Sequence, residues 1–290
     1  MWAFAQSLIN GLLSGGVYAL IAVGVTVIFG VMRLINFANG AFLVLGMYLA
    51  WFAYSMFGLN YFQALPLVIV GCAVVGYLSF RLTLIPILDK NRQAGLMVTV
   101  GLSYVLQNLL IIVFGSNPLT LPSSLSTASF TLGSFVIGLP RFISFCVAVF
   151  LIITVSVFVN KTMFGKCMRA TSENVEIAEM LGIKTNVVFA LAWTLGIVLI
   201  GIAGTMITPI YYVQASLGNT FRNTPIIAVV LGGLGSIPGA FIAGLLLGII
   251  EAIAATTLDA QLGPLGIFIV YLLVFYLRPR GLFGKGERIA

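Results

Sequence analysis

The sequence predicts an all-α polytopic membrane protein of about eight to nine transmembrane segments, one of them broken or re-entrant within residues 225–257. Three observations carry this. First, 61% of the 290 residues are hydrophobic and only 7% are charged, whereas a soluble domain carries about 25% charged residues. Mean hydropathy is +1.17. Second, apolar runs of about 18 residues or more recur along the chain, the length a helix needs to cross a bilayer. A β-barrel would show alternating segments of about ten residues instead. Third, Gly232-Gly233-Leu-Gly235-Ser-Ile-Pro238-Gly239 interrupts an apolar stretch that would measure about 50 Å as one helix, against a hydrocarbon core of about 30 Å. A soluble enzyme and a disordered chain are excluded by the same composition. Histidine is absent, which removes His-ligated metals and His general-base chemistry.

The elements follow in order. The first apolar run is Trp2 to Met32, ended by Arg33. It has no basic residue before it, so a cleavable signal peptide is not expected. A second span reaches about Phe57 and contains the polar break Asn36-Phe-Ala-Asn39-Gly40. The third runs from about Tyr61 to Phe80, and residues 81–93 form a polar loop. The fourth is about Ala94 to Phe114. Residues 115–138 are uncharged and rich in Ser, Thr, Gly and Pro, which reads as a loop. The fifth is about Phe142 to Val159. A charged loop occupies 160–186, the sixth span is about Val187 to Thr208, and a polar stretch follows from Pro209 to Thr224. The segment 225–257 and a last span, about Leu265 to Leu277, complete one bundle over 1–290.

Twelve of the 14 basic residues fall at Arg33, in loops 81–93 and 160–186 and in the tail; only Arg141 and Arg222 do not. That side is expected to be cytoplasmic, with the C-terminus inside. The short loops on that side explain the net charge of +7 without nucleic acid. Cys72, Cys146 and Cys167 have neither metal nor disulfide spacing.

Within loop 160–186, Thr171 or Ser172 is a plausible N-cap, with Glu173 and Glu176 in a first turn, where the helix dipole favours acids. Ile177 and Leu181 are four apart and share a face. Gly182 is a natural C-cap, and Thr185 or Asn186 would cap the next helix. The pattern fits either a solvated interfacial helix or a docking helix for a partner. Asn36, Asn39, Gln107 and Asn108 are amides within spans. Such groups line a path or glue helices together, and both readings stand. Glu251 is the one clearly intramembrane acid. Ala240, Gly244, Gly248 and Ala252 form a small-residue stripe, as do Ala192, Gly196 and Gly204, suited to close helix packing. The break at Gly232, Gly233, Gly235, Pro238 and Gly239 is either backbone lining a path or a tight turn. No phosphate loop is present, and Gly165-Lys166-Cys167 does not complete one, so the chain is not expected to hydrolyse ATP. No catalytic residue, metal site or bound cofactor is expected.

Several motifs resemble one family. They are Gly16-Val-Tyr-Ala-Leu-Ile-Ala-Val-Gly24, Ile35-Asn36-Phe-Ala-Asn-Gly40, Val100-Gly-Leu-Ser-Tyr-Val-Leu-Gln-Asn108 and Met168-Arg-Ala. Ala178-Glu-Met-Leu-Gly-Ile183, Leu231-Gly-Gly-Leu-Gly-Ser-Ile-Pro-Gly-Ala240 and Arg278-Pro-Arg-Gly-Leu-Phe-Gly284 complete the set. Over nearly the whole chain the sequence resembles the integral membrane permeases of bacterial ABC importers for branched-chain amino acids. Family members commonly carry His where this chain has Asn39. The resemblance implies a complex of two permeases (the second a related, heterologous chain) and two cytoplasmic ABC ATPases. ATP and Mg would be used by those ATPases, and a periplasmic substrate-binding protein would feed the complex in the bacterial inner membrane. It implies that Glu173, Glu176, Ala178 and Gly182 belong to the element that rests on an ATPase. Permeases of the same family for urea or short amides form the nearest alternative. An ion-coupled secondary transporter using Glu251 and a non-transporting scaffold are the others.

Overall fold

The computed structural model describes residues 2–60, 62–88, 92–121, 128–132, 135–257, 259, 262–278 and 281–283. Asp89, Lys90, Arg280, Lys285 and Arg288, which entered the charge count, lie outside them. Among the described residues seven helices are long and apolar enough to cross a membrane, with a shorter apolar helix at Gly263–Leu277. The chain is an all-α polytopic membrane protein.

Helix α1 (Trp2–Met32) is the central post. Arg33 ends it in a left-handed conformation, φ +51°, with its N–H on Phe29 O at 2.8 Å. Residues 33–38 are non-helical and lead to α2 (Asn39–Phe57). The third span is longer than the sequence predicts. Helix α3 (Leu65–Ser79) does not stop at Phe80. It continues through a π-helical turn, Phe80–Leu84, into the short α4 (Ile85–Leu88), so Arg81 lies in a helix rather than a loop. The cause is local. Ser79 Oγ donates to Gly76 O at 2.8 Å, Thr83 Oγ1 donates to Ser79 O at 2.6 Å, and Trp193 Nε1 donates to Ser79 Oγ at 3.2 Å. Side chains bonding into the ladder widen the turn without ending the helix.

Helix α5 (Arg92–Phe114) is followed by a surface segment that is not all loop. Strands β1 (Ser129–Leu132) and β2 (Phe135–Gly138) pair antiparallel, with Phe130 opposite Ile137. The Gln6 amide completes the outer edge of β2, donating to Val136 O at 2.6 Å and accepting from Val136 N at 3.1 Å.

Helix α6 (Leu139–Lys161) runs to the basic end, where α7 (Met163–Glu173) and α8 (Val175–Met180) lie, before α9 (Thr185–Ile207) returns. Helix α10 (Leu217–Gly232) begins eight residues before Pro225 and takes in half of the expected polar stretch. Phe221, buried against Tyr18 and Tyr211, anchors that first half. Helices α11 (Ile237–Thr257) and α12 (Gly263–Leu277) complete the fold.

The interruption inside 225–257 is a tight turn. Gly233 and Gly235 have φ of +99° and +85°, and Ser236 Oγ accepts from Gly239 N at 3.2 Å. The backbones of Gly232 and Gly239 are in direct contact, so α10 and α11 form an antiparallel pair. Gly30, near the end of α1, lies beside Gly235. The turn therefore sits at the basic end of the bundle, and the path reading of this break yields to the turn reading. Its C-terminal carbonyls are covered by the tail: Leu282 N donates to Leu231 O at 2.8 Å and Phe283 N to Gly232 O at 3.2 Å. Such carbonyls have no partner within a helix. The glycine-rich motif and the Arg278–Phe283 motif are thus two halves of one contact.

The small-residue stripes are packing faces. Gly244 and Gly248 lie against Ala19, Gly15 and Gly11 of α1, where a Cβ at Gly11 would stand 2.8 Å from Gly248 O. Gly196 faces Gly24 and Ile28, and Gly204 faces the Leu43 backbone. Backbones approach this closely only where side chains are absent.

Candidate functional site

Three groups of residues stand out from the packed bundle. The first is the break between α1 and α2. Asn36 and Asn39 are both fully buried. Asn36 Oδ1 accepts from Ala38 N at 2.8 Å, a turn closed by its own side chain. Its Nδ2 is buried without a partner among the described residues. Asn39 Nδ2 donates to Arg222 O at 3.0 Å and its Oδ1 accepts from Gly40 N at 2.7 Å. Phe37 N donates to Thr99 Oγ1 at 3.3 Å, and Gly40 touches the Gly218 backbone. The non-helical segment 33–38 is therefore enclosed by α5 on one side, and α10 covers the start of α2. Buried irregular backbone inside a membrane bundle needs this enclosure.

Gln107 and Asn108 are not part of that cluster. They lie about 12 Å beyond Thr99 along α5. Gln107 is half-buried and Asn108 is exposed, its Nδ2 returning to Tyr104 O at 2.8 Å. The four amides thus divide into an enclosed pair and an outward pair.

The second group is the basic end between α6 and α9. Thr162 caps α7, accepting from Gly165 N at 3.1 Å. Arg169 covers the end of α6 through Val159 O at 2.9 Å and Asn160 Oδ1 at 3.1 Å. The expected N-cap at Thr171 or Ser172 is not made. Helix α7 runs on to Glu173, which closes one helix rather than opening the next, and Asn174 caps α8 by accepting from Ile177 N at 3.0 Å. Asparagine is among the strongest N-caps, and it outcompetes the hydroxyls before it. Glu176 does occupy the first turn of α8. Gly182 ends it with φ +81°. Ile183 N reaches Ala178 O at 3.0 Å and Gly182 N reaches Glu179 O at 2.9 Å, the paired bonds of a Schellman cap. Thr185 does not cap α9; its Oγ1 donates to Glu179 Oε1 at 2.5 Å. Asn186 lies inside α9 and does not cap it either.

The outcome is a rigid corner with one apolar side outward. Ala178 is buried and holds the corner to the bundle, whereas Met180 and Leu181 are 86% and 73% exposed and Val175 and Ile177 are also exposed. Glu173 and Glu176 flank this patch and are exposed. Arg33 Nη2 donates to Ser172 O at 3.0 Å, tying the end of α1 to the end of α7. Spacing had singled out Ile177 and Leu181; Val175 and Met180 come from knowing where Asn174 starts the helix.

The third group lies at the opposite end of the bundle. Tyr18 of α1 and Tyr211, after α9, both lie within electrostatic reach of the Glu251 side chain of α11. The Tyr18 ring packs on Phe221, centroids 5.9 Å apart, and Tyr211 meets Phe221 edge-on at 5.4 Å. Arg141, in the first turn of α6, joins Tyr18, Tyr211, Phe221 and Ser14 around a cleft of about 20 Å³. Partial burial and the Glu251 charge push the Tyr211 hydroxyl above its ordinary value, and Arg141 opposes them. Sequence reasoning found Glu251 but not Tyr18 and Tyr211 beside it, because they come from α1 and from the segment after α9.

No group of three or more metal-ligating side chains exists among the described residues. The bundle, its buried irregular backbone and its projecting corner define a polytopic membrane permease. The family described as the permease component of a branched-chain amino acid transport system matches residues 7–277, and the chain belongs to it. Two relatives extend the match. The high-affinity branched-chain amino acid transport system permease protein BraD of Pseudomonas aeruginosa is 30% identical over 99% of this chain and 98% of its own length. The permease protein LivH of the corresponding system of Escherichia coli is 31% identical over 98% and 96%. In fold the chain resembles a solved structure of PsaBC from Streptococcus pneumoniae in complex with Fab, with a TM-score of 0.52, 13% identity and coverage of 94% and 92%.

Proposed function

We propose that this chain is the membrane-spanning permease subunit of a bacterial ABC importer and carries leucine, isoleucine or valine across the inner membrane. The observation that carries the reading is the family match over residues 7–277. The relatives' names place the substrate among branched-chain amino acids. ATP, with Mg, is hydrolysed by two cytoplasmic ABC ATPases, a periplasmic protein delivers substrate, and a second, related permease completes the pathway.

In this reading α8 and its Gly182 cap form the coupling element. The apolar patch of Val175, Ile177, Met180 and Leu181 enters a groove of one ATPase, with Glu173 and Glu176 at its rim. The Schellman cap and the Thr185–Glu179 bond make the corner stiff, so motion of the ATPase moves α7 and α9 with it. Gln107 and Asn108 are the path candidates this geometry favours, since they lie on the outward side of α5. Asn36 and Asn39 act from within, holding the start of α2.

Replacing Met180 and Ile177 together by Asp puts two charges into the apolar contact. Fully desolvated contacts of this kind are worth about 2 kcal/mol or more each. Leucine uptake in vesicles should fall by more than about tenfold, and ATPase subunits should no longer co-purify, while the permease stays monodisperse. Undiminished uptake with the ATPases still attached would refute the coupling assignment.

A further inference from the structure

Arg33 stands where three parts of the bundle meet. It is the one non-glycine residue with positive φ among the described residues, at +51°. Such a conformation persists only where the surroundings impose it, and it gathers at switch segments. On one side Arg33 reaches the basic corner. Its Nη2 donates to Ser172 O at 3.0 Å, next to the end of α7 and just before the Asn174 cap of α8. On the other side it opens the non-helical segment 33–38, which grips α5 at two successive turns. Leu34 fills the space over Gly95, where a Cβ would stand 2.6 Å from Leu34 Cδ1. Phe37 N donates to Thr99 Oγ1 at 3.3 Å. Gly95 and Thr99 are four apart and share a face of α5. A buried polar group without a partner stands on each side of this link: the Thr171 hydroxyl of α7 and Asn36 Nδ2 of the segment. Each costs free energy as it stands, which an arrangement that pairs it would recover.

We propose that Arg33 is a positioning residue for coupling, carrying movement of the α8 corner to α5 through the segment 33–38. The inference rests on the importer reading and adds a link inward from the corner that this reading assigns to the ATPase. The motion follows the bonds. The corner is stiff and turns with α7, so the Ser172 carbonyl moves with it. A guanidinium holds that carbonyl by a charge-assisted bond, stronger than a neutral one. Helix α1 is the packed central post, and its ladder ends with Arg33 N on Phe29 O at 2.8 Å. Beyond that point residues 33–38 are not helical, and their direction is set by the backbone angles at Arg33. Arg33 is therefore the hinge between a post that stays and a segment that moves. Displacement of the segment acts on α5 through Leu34 and Phe37, and α5 carries Gln107 and Asn108, the path candidates. Asn36 Nδ2 and the Thr171 hydroxyl gain partners as the segment and α7 shift.

The test uses the assembled importer in proteoliposomes with its binding protein, and reads leucine uptake and ATP hydrolysis in the same sample. R33Q removes the charged donor. R33G removes the whole side chain and suits the left-handed backbone, so it folds even where R33Q does not. Each should lower uptake by about tenfold while hydrolysis stays within about twofold of wild type and the ATPases still co-purify. R33K keeps the charge and a donor, and should retain at least about a third of wild-type uptake. T99V removes the acceptor of Phe37 N and should also lower uptake more than hydrolysis. R33Q and T99V together should be no worse than the poorer of the two, because links of one chain do not act independently. A merely structural role would move uptake and hydrolysis together and would gain nothing from Lys. Wild-type uptake in R33G overturns the proposal. So do a parallel loss of uptake and hydrolysis in R33Q and R33G, R33K no better than R33Q, and a double variant whose losses multiply. Each of these results leaves the importer reading standing as long as the wild-type complex moves leucine, isoleucine or valine. A wild-type complex that moves none of them removes the importer reading, and the proposal with it.

Discussion

Asn39 uses both ends of its amide. Its Nδ2 ties α2 to the Arg222 carbonyl of α10, and its Oδ1 accepts from the Gly40 N–H in the first turn of its own helix. A family member with His at this position keeps donor and acceptor nitrogens, but on a wider ring. Asn39→Leu keeps the size and removes both bonds, at a cost of about 1–3 kcal/mol for groups this deeply buried. A lower thermal unfolding midpoint in mild detergent is the expected reading, with Asn39→Asp falling at least as far, because its second carboxylate oxygen faces the Arg222 carbonyl where a donor stood and buries a charge. An unchanged midpoint for the Leu variant would show that the amide is not a tie. That Asn39 and Asn36 mattered was readable from their place beside a helix break. Which bonds they make was not, because Arg222 lies far along the chain. Gly182 is the opposite case. Its cap was evident from a glycine after a short amphipathic run, and φ +81° follows directly. Gly182→Ala places a Cβ in the left-handed region and costs about 1 kcal/mol, enough to loosen the corner without unfolding the bundle.

Among elements, the legible ones are those whose pattern is long. The apolar runs of α1, α5, α6 and α9 place each helix to within a few residues. The misplaced boundaries have local physical causes. Helix α3 passes through Arg81 because Ser79 and Thr83 convert its ladder into a π turn rather than ending it. Helix α10 starts early because Phe221 is gripped by two tyrosines, outweighing the polar residues around it. The pairing of β1 with β2 depends partly on Gln6, more than a hundred residues away. The contact between the tail and the α10–α11 turn is of the same long-range kind, although both motifs were conspicuous. Truncation after Arg278 deletes the donors to Leu231 O and Gly232 O. Hydrogen exchange in peptides covering 231–240 should then rise by about tenfold or more, as capped ends become open ends, while peptides in α1 keep their protection. Equal exchange in both chains would mean that the tail merely rests on the turn.

At the scale of the whole molecule, the two ends of the bundle differ in kind. One end carries Arg33, Lys161, Lys166, Arg169, Lys184 and Arg278 together with the projecting corner of α8. The other carries the β1–β2 hairpin, the tyrosines and Arg141. Charge bias alone predicts an orientation for such a bundle, with the basic end inward, and the proposed importer reading needs the same orientation because ATP is inside the cell. The two arguments are independent and meet in one experiment. Cys72, Cys146 and Cys167 are first replaced by alanine. Single cysteines are then placed at Met180, 86% exposed at the corner, and at Tyr212, 66% exposed beyond α9. In intact spheroplasts a membrane-impermeant maleimide should label Tyr212→Cys at once and Met180→Cys only after permeabilisation. Adding the ATPase subunits to permeabilised membranes should then protect Met180→Cys and leave Tyr212→Cys untouched. Labelling of Met180→Cys from outside would invert the molecule. The apolar corner could then meet no ATPase, and the coupling assignment would fall with the orientation.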